Sequence, residues 1–517
     1  MNRGANELAV ADNGDGTYSN PVLRADWSDP DAVRVGDDFY LIASSFHRVP
    51  GLPVLHSRDL VNWTIIGHAL HRLEPEEAFG TPRRGCGVWA PAIRHHAGRF
   101  WIFYPDPDHG ISVVTATDAA GPWSRPRLLK AGRGLIDPCP LWDEDGSAYL
   151  VHAWAKSRAG FNNRLTCHRM DAEATVLLDD GHDIVDGGAL PGYRTLEGPK
   201  CYRRDGWYWI FAPAGGVRDG WQSVFRSRDV FGPYEERIVL EQGDTDVNGP
   251  HQGAWVTAAG GRDWFLHFQD RGPFGRVVHL QPMRWDAEGW PIIGDPPGRP
   301  VATHAKPDVA SEEASLAPAV SDGFIGGEPG LQWAWAANPE PGWREPGSDG
   351  VLRLACAPTD DGDLRRLPNL LEQRLPAEPF RAVTTVRLTG AGAGSRAGLT
   401  VLGDSCAWIG LEREQDGVAL VHRTAEADGP EHDAAAPAAV EIGEDGTSAA
   451  VALGVAVGAD GRCRFLAGAP GETPRPVGPP FEATSSQWVG AALGLFATAS
   501  PDAAGGAAEF GPVRAAR

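Results

Sequence analysis

Leu196-Glu197-Gly198-Pro199-Lys200 runs directly into Cys201-Tyr202-Arg203-Arg204-Asp205-Gly206 and then into Trp207-Tyr208-Trp209-Ile210-Phe211. The order is an acid, a short strand, a turn carrying glycine, and an aromatic strand, which is a hairpin pattern. The same layout occurs twice earlier with aspartate as the acid. Ser28-Asp29-Pro30 precedes a turn at Gly36-Asp37-Asp38 and the run Phe39-Tyr40-Leu41-Ile42. Ile136-Asp137-Pro138 precedes Glu144-Asp145-Gly146 and Ala148-Tyr149-Leu150-Val151. Three acids hold one position in three copies of one unit, so they converge if the units repeat around an axis.

Two further aromatic runs, Phe100–Tyr104 and Trp264–Phe268, follow turns at Gly98 and Gly261, after openings at Trp89-Ala90-Pro91 and Gly249-Pro250-His251. The five runs start roughly 50–60 residues apart, a spacing in the range of propeller blades. Five units predict a five-bladed β-propeller, whose innermost strands line a central channel. Asp29, Trp89, Asp137, Glu197 and His251 should then face one funnel. No long amphipathic helix is predicted anywhere in this half.

The texture changes at Pro296-Pro297-Gly298-Arg299-Pro300 and again at Ser311-Glu312-Glu313-Ala314-Ser315. Short strand-like runs then resume without the repeat, as in Val351–Leu354 and Val418–His422. The expected organisation is all-β: a propeller over residues 1–300, a linker or covering strap over 301–320, and a β-sandwich of jelly-roll type over 321–517. The stretch 425–439 is expected to be a polar surface loop.

A chain of 517 residues is long enough for two or three domains. Its net charge of −21 disfavours nucleic acid and anionic membrane surfaces as partners. No apolar run approaches a membrane span, and Met1–Glu7 lacks the apolar core of a signal peptide. The seven cysteines are dispersed without a CxxC, as expected for reduced thiols in a cytoplasmic protein. Nineteen tryptophans are many; such rings pack on sugar faces as readily as they fill cores.

Two carboxyl groups flanking a pocket are the minimum for hydrolysing a glycosidic bond, one protonating the leaving oxygen and the other activating water or attacking the sugar. A third acid beside them raises the proton affinity of the donor. Asp29, Asp137 and Glu197 meet that requirement. Asp37, Asp38, Asp143, Asp145 and Asp205 read as ordinary turn residues.

These residues also carry a family resemblance. Asn20-Pro21-Val22-Leu23, Ser28-Asp29-Pro30-Asp31, Val35–Leu41 and His56–Trp63 resemble the opening of glycoside hydrolase family 43. Gly87-Val88-Trp89-Ala90-Pro91, Leu196-Glu197-Gly198-Pro199 and Asn248–Trp255 resemble its later signatures, and the match covers residues 20–294. Asp322-Gly323-Phe324 and Leu331–Trp335 resemble the concanavalin-like sandwich that follows the propeller in many β-xylosidases of the family. The resemblance implies an inverting mechanism with Asp29 as general base and Glu197 as general acid, and with Asp137 tuning and orienting Glu197. It implies that Phe46 and Trp89 wall the first sugar subsite and that Arg276 contacts a sugar hydroxyl. In relatives the histidine matching His251 can hold a hydrated calcium ion. His251 is thus a candidate for a structural calcium, or else hydrogen-bonds in the pocket floor; no other cofactor is expected. The implied substrates are small xylo- or arabino-oligosaccharides, cut at their ends as β-D-xylosides or α-L-arabinofuranosides. Oligomeric state is left open. The alternatives are a fructan-cleaving five-bladed propeller, whose motifs match only at the acids and prolines, and a non-catalytic glycan-binding propeller.

Overall fold

The structure, a computed structural model, describes residues 8–308, 315–359, 362–503 and 505–517. Met1–Glu7 and Ser311–Ala314, on which the readings of a missing leader and of the linker fall, lie outside the described residues. Five four-stranded antiparallel sheets follow one another along the chain. Their innermost strands are Asp31–Val35, Ala92–His96, Leu135–Trp142, Lys200–Arg204 and His251–Thr257. These are the five blades of the propeller.

Local chemistry explains the hairpins. Arg204 pairs with Trp207, which leaves Asp205 and Gly206 as a two-residue turn with φ of 51° and 73°. Two consecutive positive φ values suit the right-handed twist of the flanking strands, and Asp-Gly adopts them readily. Between blades four and five, Trp209, Trp255, Trp285 and Trp290 pack around Phe211 and Phe265. Many of the nineteen tryptophans therefore fill the seams between blades.

The N-terminal segment closes the ring. The Val22 and Leu23 amides donate to Val278 O at 2.8 and 3.2 Å, and Val278 N returns a bond to Leu23 O at 3.0 Å. Asn20 bonds both Leu280 O and Leu280 N across the same seam. Thr17–Ser19 pairs with Thr303–Ala305, so the chain leaving the last blade runs back along the segment that entered the first.

Residues from Ala334 onward form two nine-stranded sheets. Phe380–Thr389 alternates buried and partly buried positions along its length, the period-two signature of a strand with one face on a core. That core holds Leu352, Leu354, Val386, Leu453, Phe465, Leu493 and Phe510. The stretch expected to be a loop after Ala425 contains two short strands instead, His432–Asp433 and Ala438–Val440, both paired with Val418–Ala425. The reason is that Val418–Ala425 offers a free sheet edge, which polar as well as apolar residues can cover. The single α-helix among the described residues spans Lys156–Ala159, and none there is long and apolar enough to cross a membrane.

Sandwich and propeller meet through buried groups. Glu372, fully buried on the sandwich side, accepts from Arg48 Nε at 2.9 Å and lies 3.2 Å from Arg84 Nη2 and 3.4 Å from His47 Nε2. Burial alone would raise its carboxyl; Arg84, His47 and Arg48 outweigh that and hold it well below the usual range. Val49 and Trp335 exchange backbone hydrogen bonds, and the Asn338 side chain bonds both backbone groups of Leu73.

Candidate active site

Asp29, Asp137 and Glu197 line one pocket, together with Phe46, Trp89 and Arg276. Each acid is placed by an unusual backbone. Asp29 and Asp137 adopt left-handed conformations with φ of 56° and 55°, and Phe46 does so at 52°. Such conformations cost about 1–3 kcal/mol each in ordinary residues and gather at functional sites. In blade three the strand register slips between Ile136 and Cys139, so Asp137 sits in a bulge that turns it toward the channel. Glu197 precedes its strand, and Gly198 after it has φ of 61°.

Each carboxyl has distinct partners. Asp29 accepts from Ser28 Oγ at 2.7 Å, Ser44 Oγ at 2.6 Å and Arg276 Nη1 at 2.8 Å. Arg276 is buried, so the guanidinium both borders the pocket and orients Asp29. Asp137 Oδ2 accepts the Gly198 N–H at 2.8 Å, which ties it to the peptide immediately after Glu197. Burial, and after it the charges of Glu197 and Asp29, push the Asp137 carboxyl up to about 8, while the Gly198 N–H and the buried Lys200 ammonium pull the other way. The acid cluster therefore holds a proton at neutral pH, and like charge resists its loss. The Glu197 side chain remains 23% exposed, which leaves it open to a substrate.

His251 does not line the pocket; it lies behind Glu197, with Nε2 3.1 Å from Glu197 Oε1 and Nδ1 unpartnered. No three His, Cys, Asp or Glu side chains come together to hold a metal among the described residues. Calcium takes six to eight oxygen ligands, and the protein side chains around His251 do not supply that set. A calcium ion at His251 would therefore take its oxygen ligands from water, with the imidazole as its protein contact.

Trp488, Gln252, Val217, Ala90 and Ile136 complete the lining. Trp488 comes from the sandwich. Its ring centroid lies 6.4 Å from that of Trp89, edge to face, and Arg276 reaches to 5.7 Å from it. The loop that carries it is pinned to the propeller: Gly490 N donates to Asp26 Oδ2 at 3.0 Å and Ala491 N to Pro273 O at 2.7 Å. Asp26 Oδ1 accepts from Arg276 N at 3.0 Å, so one buried aspartate joins sandwich and pocket. No local pattern marks Trp488 in the sequence, because its relation to the acids exists only after the domains dock. Gln252 stands beside His251 and carries no signal beyond that neighbourhood.

A five-bladed propeller with three carboxyl groups converging in one axial pocket defines a glycoside hydrolase. The sequence profile of glycosyl hydrolases family 43 matches residues 18–291, and that of the β-xylosidase C-terminal concanavalin A-like domain matches 321–514. The chain belongs to family 43. It is similar to a putative beta-xylosidase of Xylanibacter ruminicola, 41% identical over 408 residues that cover 77% of this chain and 73% of that one. It is also similar to a non-reducing end alpha-L-arabinofuranosidase of Bacteroides ovatus, 31% identical over 438 residues that cover 79% and 78%. Among solved structures, a mutant of the family 43 protein BlXynB of Bacillus licheniformis superposes with a TM-score of 0.84 at 25% identity, over 96% of this chain and 99% of that one. With the family established, the fructan-cleaving and non-catalytic readings fall away.

Proposed function

We propose that this enzyme is an inverting, exo-acting glycosidase that removes a terminal xylose or arabinofuranose from plant cell-wall oligosaccharides. The observation that carries the proposal is the convergence of Asp29, Asp137 and Glu197 in one pocket that also has two tryptophans and a guanidinium on its walls. The names of the relatives supply the two sugars.

In this mechanism Glu197 donates its proton to the glycosidic oxygen as the bond to the anomeric carbon breaks. Asp29 takes a proton from a water that attacks that carbon from the opposite face, and the product has inverted configuration. Such a mechanism needs roughly 6.5–9.5 Å between base and acid, room for the water. Arg276, Ser28 and Ser44 fix the Asp29 carboxylate. Asp137 holds the backbone after Glu197 and keeps the cluster's proton available. No step requires a metal or other cofactor.

Exo action is supported by the closure of the pocket from the sandwich side. Trp488 stands over it, and Gly85 lies so close to Gln487 that an added Cβ would come within 2.8 Å of Gln487 O. The loop from Leu73 to Gly87 and the Trp488 loop thus meet, a wall suited to a chain end. Rates on nitrophenyl β-D-xyloside and α-L-arabinofuranoside, with product profiles on xylo-oligosaccharides and arabinoxylan, test this reading. Monosaccharide from the first minutes is expected; early oligomers overturn exo action, and inertness toward both glycosides overturns the substrate class.

A further inference from the structure

Gln252 is the polar pocket residue to which the acid chemistry assigns no task. Its side chain is 3% exposed and borders the same space as Asp137 and Glu197, yet its Nε2 has no hydrogen-bond partner. A buried amide donor left without a partner is destabilising, and most such groups in folded proteins are satisfied.

The backbone adds a second observation. In blade five, His251 pairs with Phe268 and Gly253 with His267, so Gln252 is the extra residue of a bulge, at φ 32°. Asp137 occupies the matching bulge of blade three at φ 55°, and Asp29 enters blade one at φ 56°. The backbone device that turns the two aspartates toward the pocket turns Gln252 there too. Two glycines make this placement possible. A Cβ on Gly253 would come within 1.6 Å of Leu266 O, and one on Gly198 within 2.7 Å of Gln252 Cδ. The amide therefore lies against the peptide that follows Glu197.

The chemistry of a sugar supplies the partner. Hydroxyl groups both donate and accept, whereas the carboxylates of this floor chiefly accept, and Arg276 Nη1 is engaged by Asp29 and Ser28. A neutral amide provides a donor without a positive charge, which would favour ionised carboxyls and strip the acid of its proton. We propose that Gln252 is a substrate-contacting residue whose amide N–H donates to one hydroxyl of the sugar held beside Glu197. The inference rests on the reading of this pocket as a glycosidase subsite.

The test uses the full chain and whichever nitrophenyl glycoside, xyloside or arabinofuranoside, it cleaves faster, with the monodeoxy analogues of that sugar. Gln252→Met keeps the length of the side chain and removes the donor; Gln252→Gly removes the side chain and suits the backbone, so a folding defect in the first variant does not obscure the result. Both should lose at least roughly tenfold in kcat/KM on the parent glycoside. One deoxy analogue should be penalised by the wild type and not penalised further by Gln252→Met. A kcat/KM within about twofold of wild type in both variants, or the same penalty for every analogue in both proteins, overturns the contact. Binding of D-xylose or L-arabinose, followed by tryptophan fluorescence, separates this inference from the hydrolytic reading. An inactive wild type whose sugar binding still weakens at least roughly tenfold in Gln252→Met sinks the reading and keeps the contact. An active wild type whose sugar binding ignores Gln252 sinks the contact alone.

Discussion

Asp137 is buried beside the charges of Glu197 and Asp29, and its carboxyl, pushed up to about 8, has an ordinary value of 3.8 in an unfolded chain. Between those values the folded protein holds a proton that the unfolded chain has lost. The stability this confers is complete below about pH 4 and is lost as pH rises through about 8. Asp137→Asn should flatten that slope, so that its melting temperature gains on the wild type between pH 5 and pH 8; parallel curves would contradict it. The same substitution removes the neighbouring charge that helps the cluster keep its proton. The alkaline limb of kcat/KM should therefore move to lower pH, and an unmoved limb would leave Asp137 only an orienting role through Gly198. Asp29→Asn and Glu197→Gln should each lower kcat by roughly 10²–10⁴ with the fold intact by circular dichroism. Near-normal turnover in either would end that residue's assignment.

Bulges and turns connect these residues to the strands that carry them. Gly198→Ala places a Cβ 2.7 Å from Gln252 Cδ at a φ of 61°. It should cost about 1–3 kcal/mol of stability and at least roughly tenfold in kcat/KM, since it disturbs the amide that donates to Asp137; a variant equal to wild type in urea unfolding and kinetics would show the site to be tolerant there. The hairpins were legible in the sequence because turn chemistry is local: Asp205-Gly206 and Gly36-Asp37 announce themselves. The repeated acid position was legible for the same reason. The bulge at Gln252 was not, because a one-residue register slip depends on the partner strand, here His267 and Phe268. His251, expected to face the funnel or to hydrogen-bond in its floor, has its Nε2 3.1 Å from Glu197 Oε1 and does not itself line the pocket. Trp488 was beyond reach, since nothing near it in the chain speaks of a pocket whose acids lie roughly three hundred to four hundred and sixty residues earlier.

The molecule works as one piece because the sandwich completes what the propeller begins. Glu372 pairs with Arg48 and Arg84 where the two meet, and Asp26 supplies Arg48 with a second carboxylate at 3.6 Å. Glu372→Gln takes the carboxylate from Arg84 and leaves Arg48 only Asp26, 3.6 Å away, so it should destabilise the protein by about 3 kcal/mol. Calorimetry would show this as a lower melting temperature; an unchanged one would mean that the contact contributes nothing to docking. Removal of residues 321–517 strips Trp488 from the pocket and uncovers apolar surface, so the shortened protein should be less soluble and bind sugar more weakly. A soluble, fully active propeller would make the sandwich an independent module. The whole account depends on water attacking from the face opposite Glu197, with Asp29 as base. Proton NMR of the anomeric signals during the first minutes of hydrolysis of a nitrophenyl β-D-xyloside reads this directly. The account predicts that α-D-xylose appears first and then mutarotates, whereas β-D-xylose as the first product would contradict it.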